Sequence, residues 1–314
     1  MLRTPCLIPA SVIGVALVLV GGHIGVAQTQ RFTTPWGDPD LQGVWSNQTA
    51  VPFERPPELE GKAFFTKEEA AELEKTHVKR LIESDDPVNR GAAEESVSAW
   101  MDRSRVGPNR RTSRVIDPPD GRIPYTAEGR KRWLSTPDAM EDDARIADRP
   151  DDRTLIERCI TAGALFKPNP FYNNNHLIVQ APGYVTIIME NMHEHRIIAL
   201  DGRSLVGRNI RGWLGDSRGR WEGQTLVVET TNFNDQRHFH GATREMHLVE
   251  RFTRQDVNTI LYQLTVTDPV AFTQPWTVDN ALWKLDAMIY ESGCHEGNYG
   301  LANILSAARA DEKR

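Results

Sequence analysis

The stretch His176-Leu177-Ile178-Val179-Gln180, then a Pro182-Gly183 turn, then Tyr184-Val185-Thr186-Ile187-Ile188-Met189, decides the fold. Short turns between alternating, β-branched runs are the strongest local hairpin signal a sequence carries. The alternation continues through Met192-His193-Glu194-His195-Arg196 to Leu200, so Tyr184–Leu200 reads as one long strand. Asp201-Gly202 marks a second turn and Trp221–Thr231 a further strand, with Asp216-Ser217-Arg218-Gly219-Arg220 read as a hairpin turn.

Outward from this meander, Thr243–Arg254, Asn258–Asp268 and Leu282–Ser292 alternate between turns, and Val44–Asn47 adds an early strand. Eight or more antiparallel strands with no long helix between them predict a mainly β protein, a closed barrel or a sandwich, with the antiparallel barrel preferred. The strand around Gly43-Val44-Trp45, together with the meander order, resembles lipocalin-like (calycin) barrels in fold, which does not fix function.

The chain upstream has a different character. Thr66-Lys67-Glu68-Glu69 is a capping box that starts a helix running to about Ile82, with Ala70, Leu73, His77 and Leu81 on one face. Thr126–Leu134 predicts a short second helix. Residues 84–122 and 137–153 are charged and poor in large aliphatic side chains, so residues 28–154 read as a long, partly helical wrap around a barrel domain at 155–314.

Arg3, the apolar run Leu7–Val20 and Gly25-Val26-Ala27 before Gln28 read as an export signal covering residues 1–27. The competing reading is an uncleaved anchor helix, but the run is short and broken by Pro9 and Gly14. A periplasmic or secreted location follows. Of the three cysteines, Cys6 lies in the leader, and Cys159 and Cys294 are then expected to pair. A thiolate nucleophile or metal ligand at Cys294 beside His295 is the alternative. The net charge of −6 argues against nucleic acid as partner, and after leader removal no membrane contact is expected.

Alternation also sorts side chains into inner and outer faces. Read as one strand, 184–200 places Val185, Ile187, Met189, Asn191, His193 and His195 on one face. Met246, Leu248, Glu250 and Phe252 share another, as do Ile260, Tyr262, Leu264 and Val266. The last strand would carry Trp283, Leu285, Ala287, Ile289 and Glu291 inward. His193, Glu250 and Glu291 thus fall on apolar faces, where an ionisable group needs a partner or a shifted pKa. Such clusters do general acid–base work. Ion pairing to Arg196, Arg244 or Arg251 is the plainer explanation.

His193-Glu194-His195 and His238-Phe239-His240 are two His-x-His pairs, and in a strand each would present two imidazoles to one ion. That set, His193, His195, His238 and His240, is the metal alternative; no cofactor is expected otherwise. No Gly-x-Ser-x-Gly elbow, P-loop or dinucleotide fingerprint occurs.

Pro39-Asp40-Leu41-Gln42-Gly43-Val44-Trp45, Asp117-Pro118-Pro119-Asp120-Gly121-Arg122, Trp221-Glu222-Gly223 and Cys294–Gly300 resemble a family of uncharacterised exported bacterial proteins, over most of the chain beyond the leader. The resemblance implies no activity. In that family the first histidine and the arginine of 192–196 are kept and the second histidine is not, which shifts weight to His193 as a single acid–base residue.

The expected function is an exported enzyme acting on a small or medium organic substrate in a barrel cavity, a lyase, isomerase or hydrolase. His193 is the acid or base, Glu250 or Glu291 its partner, and Tyr262 the donor to a developing oxyanion. Tyr172, Asn174, Asn191, Arg196 and Trp283 are expected to contact substrate. A lipocalin-like carrier of an apolar ligand is the alternative, and a metal-dependent enzyme the third.

Overall fold

Ile178 lies opposite Ile187, and Gln180 opposite Val185, because β3 (Asn175–Ala181) and β4 (Tyr184–Met189) pair antiparallel around Pro182-Gly183. Gly183 sits at φ +80°, a left-handed value that glycine adopts without cost. This hairpin belongs to a computed structural model that describes residues 32–84, 104–139, 147–163, 174–236 and 239–313. The expected leader, Tyr172 and His238 lie outside the described residues.

The remaining strands are β1 (Gly43–Ser46), β2 (Val115–Asp117), β5 (His195–Ala199), β6 (Asp216–Glu222), β7 (Thr225–Thr231), β8 (His247–Arg254), β9 (Thr259–Thr267) and β10 (Trp276–Leu285). Pairing runs β1-β3-β4-β5-β6-β7-β8-β9-β10 and closes through β10 on β1, a nine-stranded barrel with β2 added beside the start of β10. The fold is mainly β, as the alternation predicts.

One feature departs from the antiparallel expectation. A closed ring that only alternates needs an even number of strands, so nine strands leave a parallel pair. That pair is β5–β6, joined by a single pairing of Ala199 with Arg218. Residues 200–215 therefore run from one end of the barrel to the other.

Met246, Leu248, Glu250 and Phe252 on β8 and its approach, and Ile260, Tyr262, Leu264 and Val266 on β9, are all buried inward. With Trp45, Ile178, Ile187, Leu226 and Trp276 they make one core, each large side chain contributing roughly 1.5–3 kcal/mol. One end of the barrel is closed by tight turns, and by Gln180, whose side chain accepts from Leu41 N and donates to Pro39 O.

The other end is capped by chain. α2 (Ala127–Leu134), the predicted short helix, is capped by Thr126 and packs on the β7–β8 and β9–β10 connections. Gly129 makes that approach possible, since a Cβ there would stand 2.0 Å from Ala271 O. Asp268 ties the two connections together: its carboxylate takes hydrogen bonds from Thr243 N and Oγ1, and from Val270 N and Ala271 N. Upstream, α1 (Lys67–Ser84) starts at the predicted capping box, Thr66 and Glu69 bonding each other's backbone.

Four expectations fail. Tyr184–Leu200 is not one strand: it breaks at 190–194, where Met192 and His193 take left-handed backbone, and returns as β5. Asp216–Arg220 is strand, not turn, and the turn falls at Gly223-Gln224, inside the stretch Trp221–Thr231 expected as one strand. β10 ends at Leu285, so Glu291 lies beyond it and exposed. A helix not foreseen, α3 (Tyr299–Asp311), ends the chain.

Candidate functional site

Arg196 on β5 reaches across the barrel interior to Glu250 on β8, Nη2 donating to Oε2 at 2.7 Å. Tyr262 on neighbouring β9 donates its hydroxyl to the other carboxylate oxygen at 2.9 Å. All three are enclosed, with Glu250 0 % exposed. Burial works against the Arg196 charge, but the Glu250 carboxylate and its hydrogen bond outweigh it and hold the guanidinium pKa above its usual value. Burial, then the Glu250 charge, pushes the Tyr262 phenol well above its ordinary range. A phenol already committed to a carboxylate and a carboxylate held by an arginine form a structural strut. Both polar ends are already occupied inside the core.

His240 sits in the cap over the barrel. It takes a left-handed backbone, φ +49°, and is 5 % exposed. Its ring stacks on Phe53 at 4.7 Å and 5°, with Trp133 at 4.8 Å on it as well. Tyr125 Oη lies 3.3 Å from Nδ1, while Nε2 is buried without a hydrogen-bond partner among the described residues. Burial, helped by the Arg114 charge, holds the imidazole pKa down at about 3, so the ring is neutral. Arg114 itself lies over the Phe53 ring at 4.9 Å, and burial pulls its pKa to about 9.

The open site is elsewhere. His193, His195 and His295 line one cleft of about 380 Å³ together with Glu194 and the Cys159–Cys294 disulfide. The break at 190–194 turns His193 outward, and His195 projects from the outer side of β5, its neighbour Arg196 pointing in. Glu194 Oε1 accepts from Thr161 Oγ1 at 2.5 Å and Oε2 from Ala162 N at 3.0 Å, which ties the loop at 161–163 to the cleft wall. Consecutive left-handed non-glycine residues cost free energy, and such strain concentrates at functional positions.

No family model, no curated protein and no solved structure matches this chain. The nine-stranded barrel therefore carries no family assignment, and the chemistry of the site rests on its own residues.

The structure divides the expected catalytic set. Glu250 and Tyr262 come together inside, with Arg196. His193 lies outside in the cleft, and Glu291 is on neither. Trp283 faces outward, its ring under the Arg105 guanidinium at 5.0 Å, because the inward phase of β10 falls on Trp276, Val278 and Leu282. Asn174 is buried and donates to Gln48 Oε1 at 2.6 Å, and Asn191 is buried beside the break. Nor does His240 join the first histidine pair, since it is in the aromatic cap and His193 and His195 border the cleft. Among the described residues no three His, Cys, Asp or Glu side chains gather as a metal-ion set. The residue missed was His295. Its place beside Cys294 was the available signal, once the disulfide carried it to Cys159.

No helix among the described residues is long and apolar enough to cross a membrane.

Proposed function

We propose that the protein is an exported enzyme that performs acid–base chemistry on a small organic substrate in the histidine cleft, outside the barrel. The observation that carries this reading is the convergence of His193, His195 and His295 on one open cleft at a strained turn. Imidazole is the side chain best matched to giving and taking protons near neutral pH. Elimination, isomerisation and hydrolysis each need one proton removed and another returned, and a cleft with several imidazoles supplies both roles. His193, held by its left-handed backbone, is the base, and His295, which lines the same cleft, the acid. The disulfide suits an oxidising compartment and supports export.

A carrier of an apolar ligand is less well supported, because such a ligand shares the interior with the Arg196–Glu250 strut.

The test is turnover of a panel of activated esters and β-elimination substrates by wild type, His193→Ala and His295→Ala. Each variant should lose about 100-fold or more in kcat/KM, the usual scale of an acid or base, with an unchanged melting temperature. Equal turnover by all three proteins ends the proposal.

A further inference from the structure

Both cysteines of the Cys159–Cys294 bridge belong to the lining of the cleft that His193, His195 and His295 border. A bridge with only a stapling role has no need of such surroundings. Two further observations concern the sulfur of Cys159. Asn298 caps the N-terminus of α3, its Oδ1 accepting from Leu301 N at 3.2 Å, and its Nδ2 donates to Cys159 Sγ at 3.3 Å and to Glu157 O at 2.9 Å. Cys159 is therefore held at the amino end of a helix of 13 residues, with an N–H aimed at its sulfur. Positive helix ends and N–H donors stabilise thiolates, and they lower the pKa of the thiol that has to leave in an exchange reaction. Cys159 is itself buried and in left-handed backbone, whereas Cys294 is half-exposed towards the cleft. The two sulfurs are thus unequal: one is open to attack and the other is prepared to depart.

We infer that this disulfide is an exchange-active electron acceptor for small thiols that enter the cleft. The inference goes beyond the acid–base reading and does not rest on it. An imidazole of the cleft takes the proton of the incoming thiol. The thiolate attacks Cys294 Sγ, forming a mixed disulfide, while the Cys159–Cys294 bond breaks and Cys159 leaves as a thiolate beside Asn298. A second thiol, deprotonated in the same way, attacks the substrate-side sulfur of the mixed disulfide. A small-molecule disulfide is released and Cys294 becomes a thiolate. Two electrons pass from the two thiols to the protein, and their two protons end on the cleft imidazoles or on the new thiolates. Reduced glutathione, a small thiol, serves as the probe for a cleft of this volume.

The experiment uses the whole exported chain, oxidised and folded. It is mixed with millimolar reduced glutathione at pH 7 without denaturant, quenched in acid and read by mass after thiol alkylation. Wild type should be reduced with its melting transition still present, through a glutathione adduct on Cys294 and not on Cys159. Asn298→Ala and His295→Ala should each slow reduction about tenfold. Oxidised glutathione should load Cys294 in Cys159→Ser at least about tenfold faster than it loads Cys159 in Cys294→Ser, which keeps the assignment testable if another variant folds poorly. Reduction that proceeds only at the rate of global unfolding, or at one rate in wild type and both variants, overturns the inference. So does loading of Cys159 at an equal or higher rate. Loss of ester or elimination turnover in His193→Ala has no bearing on it, so the two proposals fail separately.

Discussion

Arg196 and Glu250 meet at 2.7 Å although β5 and β8 are not neighbours in the sheet, so the ion pair spans the interior of the barrel. Removing one partner strands the other charge in the core. Glu250→Leu should cost about 3–5 kcal/mol, and Arg196→Met a similar amount. The double variant should recover most of that loss, because two apolar side chains leave no buried charge. Urea midpoints of the four proteins form the cycle that measures the coupling, and simple additivity of the two losses would contradict the strut.

His240 makes stability depend on pH. Its folded pKa lies near 3, below the ordinary value of 6.5, because of burial and then the Arg114 charge. Between those values the unfolded chain binds a proton that the folded chain refuses. The contribution is therefore complete above about pH 6.5 and is lost as pH falls towards 3, up to roughly 5 kcal/mol. His240→Phe should flatten this slope in chemical denaturation followed from pH 7 to 4.

Gly129 lets α2 touch the β9–β10 connection. A methyl group there meets the Ala271 carbonyl at 2.0 Å, and the helix must shift. Gly129→Ala should destabilise by about 1–3 kcal/mol despite alanine's better helix propensity. A surface helix free of this contact would gain stability from the same change, so the sign of the shift in melting temperature decides.

Asp268 serves two connections with one buried carboxylate. Asp268→Ala leaves several backbone donors without acceptors at the capped end, each costing on the order of 1 kcal/mol or more. A loss of at least about 2 kcal/mol is expected by urea unfolding, with the amides of Thr243 and Ala271 losing hydrogen-exchange protection first.

The barrel was legible in the alternation of β8 and β9, because each has one packed and one wet face. Three features hid the site. Residues 190–194 continue the alternation, and nothing in Met192 or His193 announces a left-handed backbone, so a turn read as strand and sent His193 inward. β10 misled for another reason: Ala281 and Leu282 are both buried, since covering segments pack outside the sheet, and a strand buried on two faces gives no phase by which to orient Trp283. Asn298 followed by Leu301, Ile304 and Leu305 was a capped helix pattern, and reading it would have found α3 and its cap against Cys159. The disulfide was legible from counting cysteines alone. The company it keeps in the cleft was not, because His193 and His295 are distant in sequence and come to line one cleft only through the folded chain.

The β5–β6 junction, closed by Ala199 and Arg218 alone, is a zipper with one tooth. Gly219 leans there on Ile198 and Leu200 with no room for a side chain, so side-chain contact rather than a ladder keeps the wall shut. Heat, denaturant or a mechanical pull should part the cylinder along that line first, opening it into a curved sheet before any other strand pair lets go.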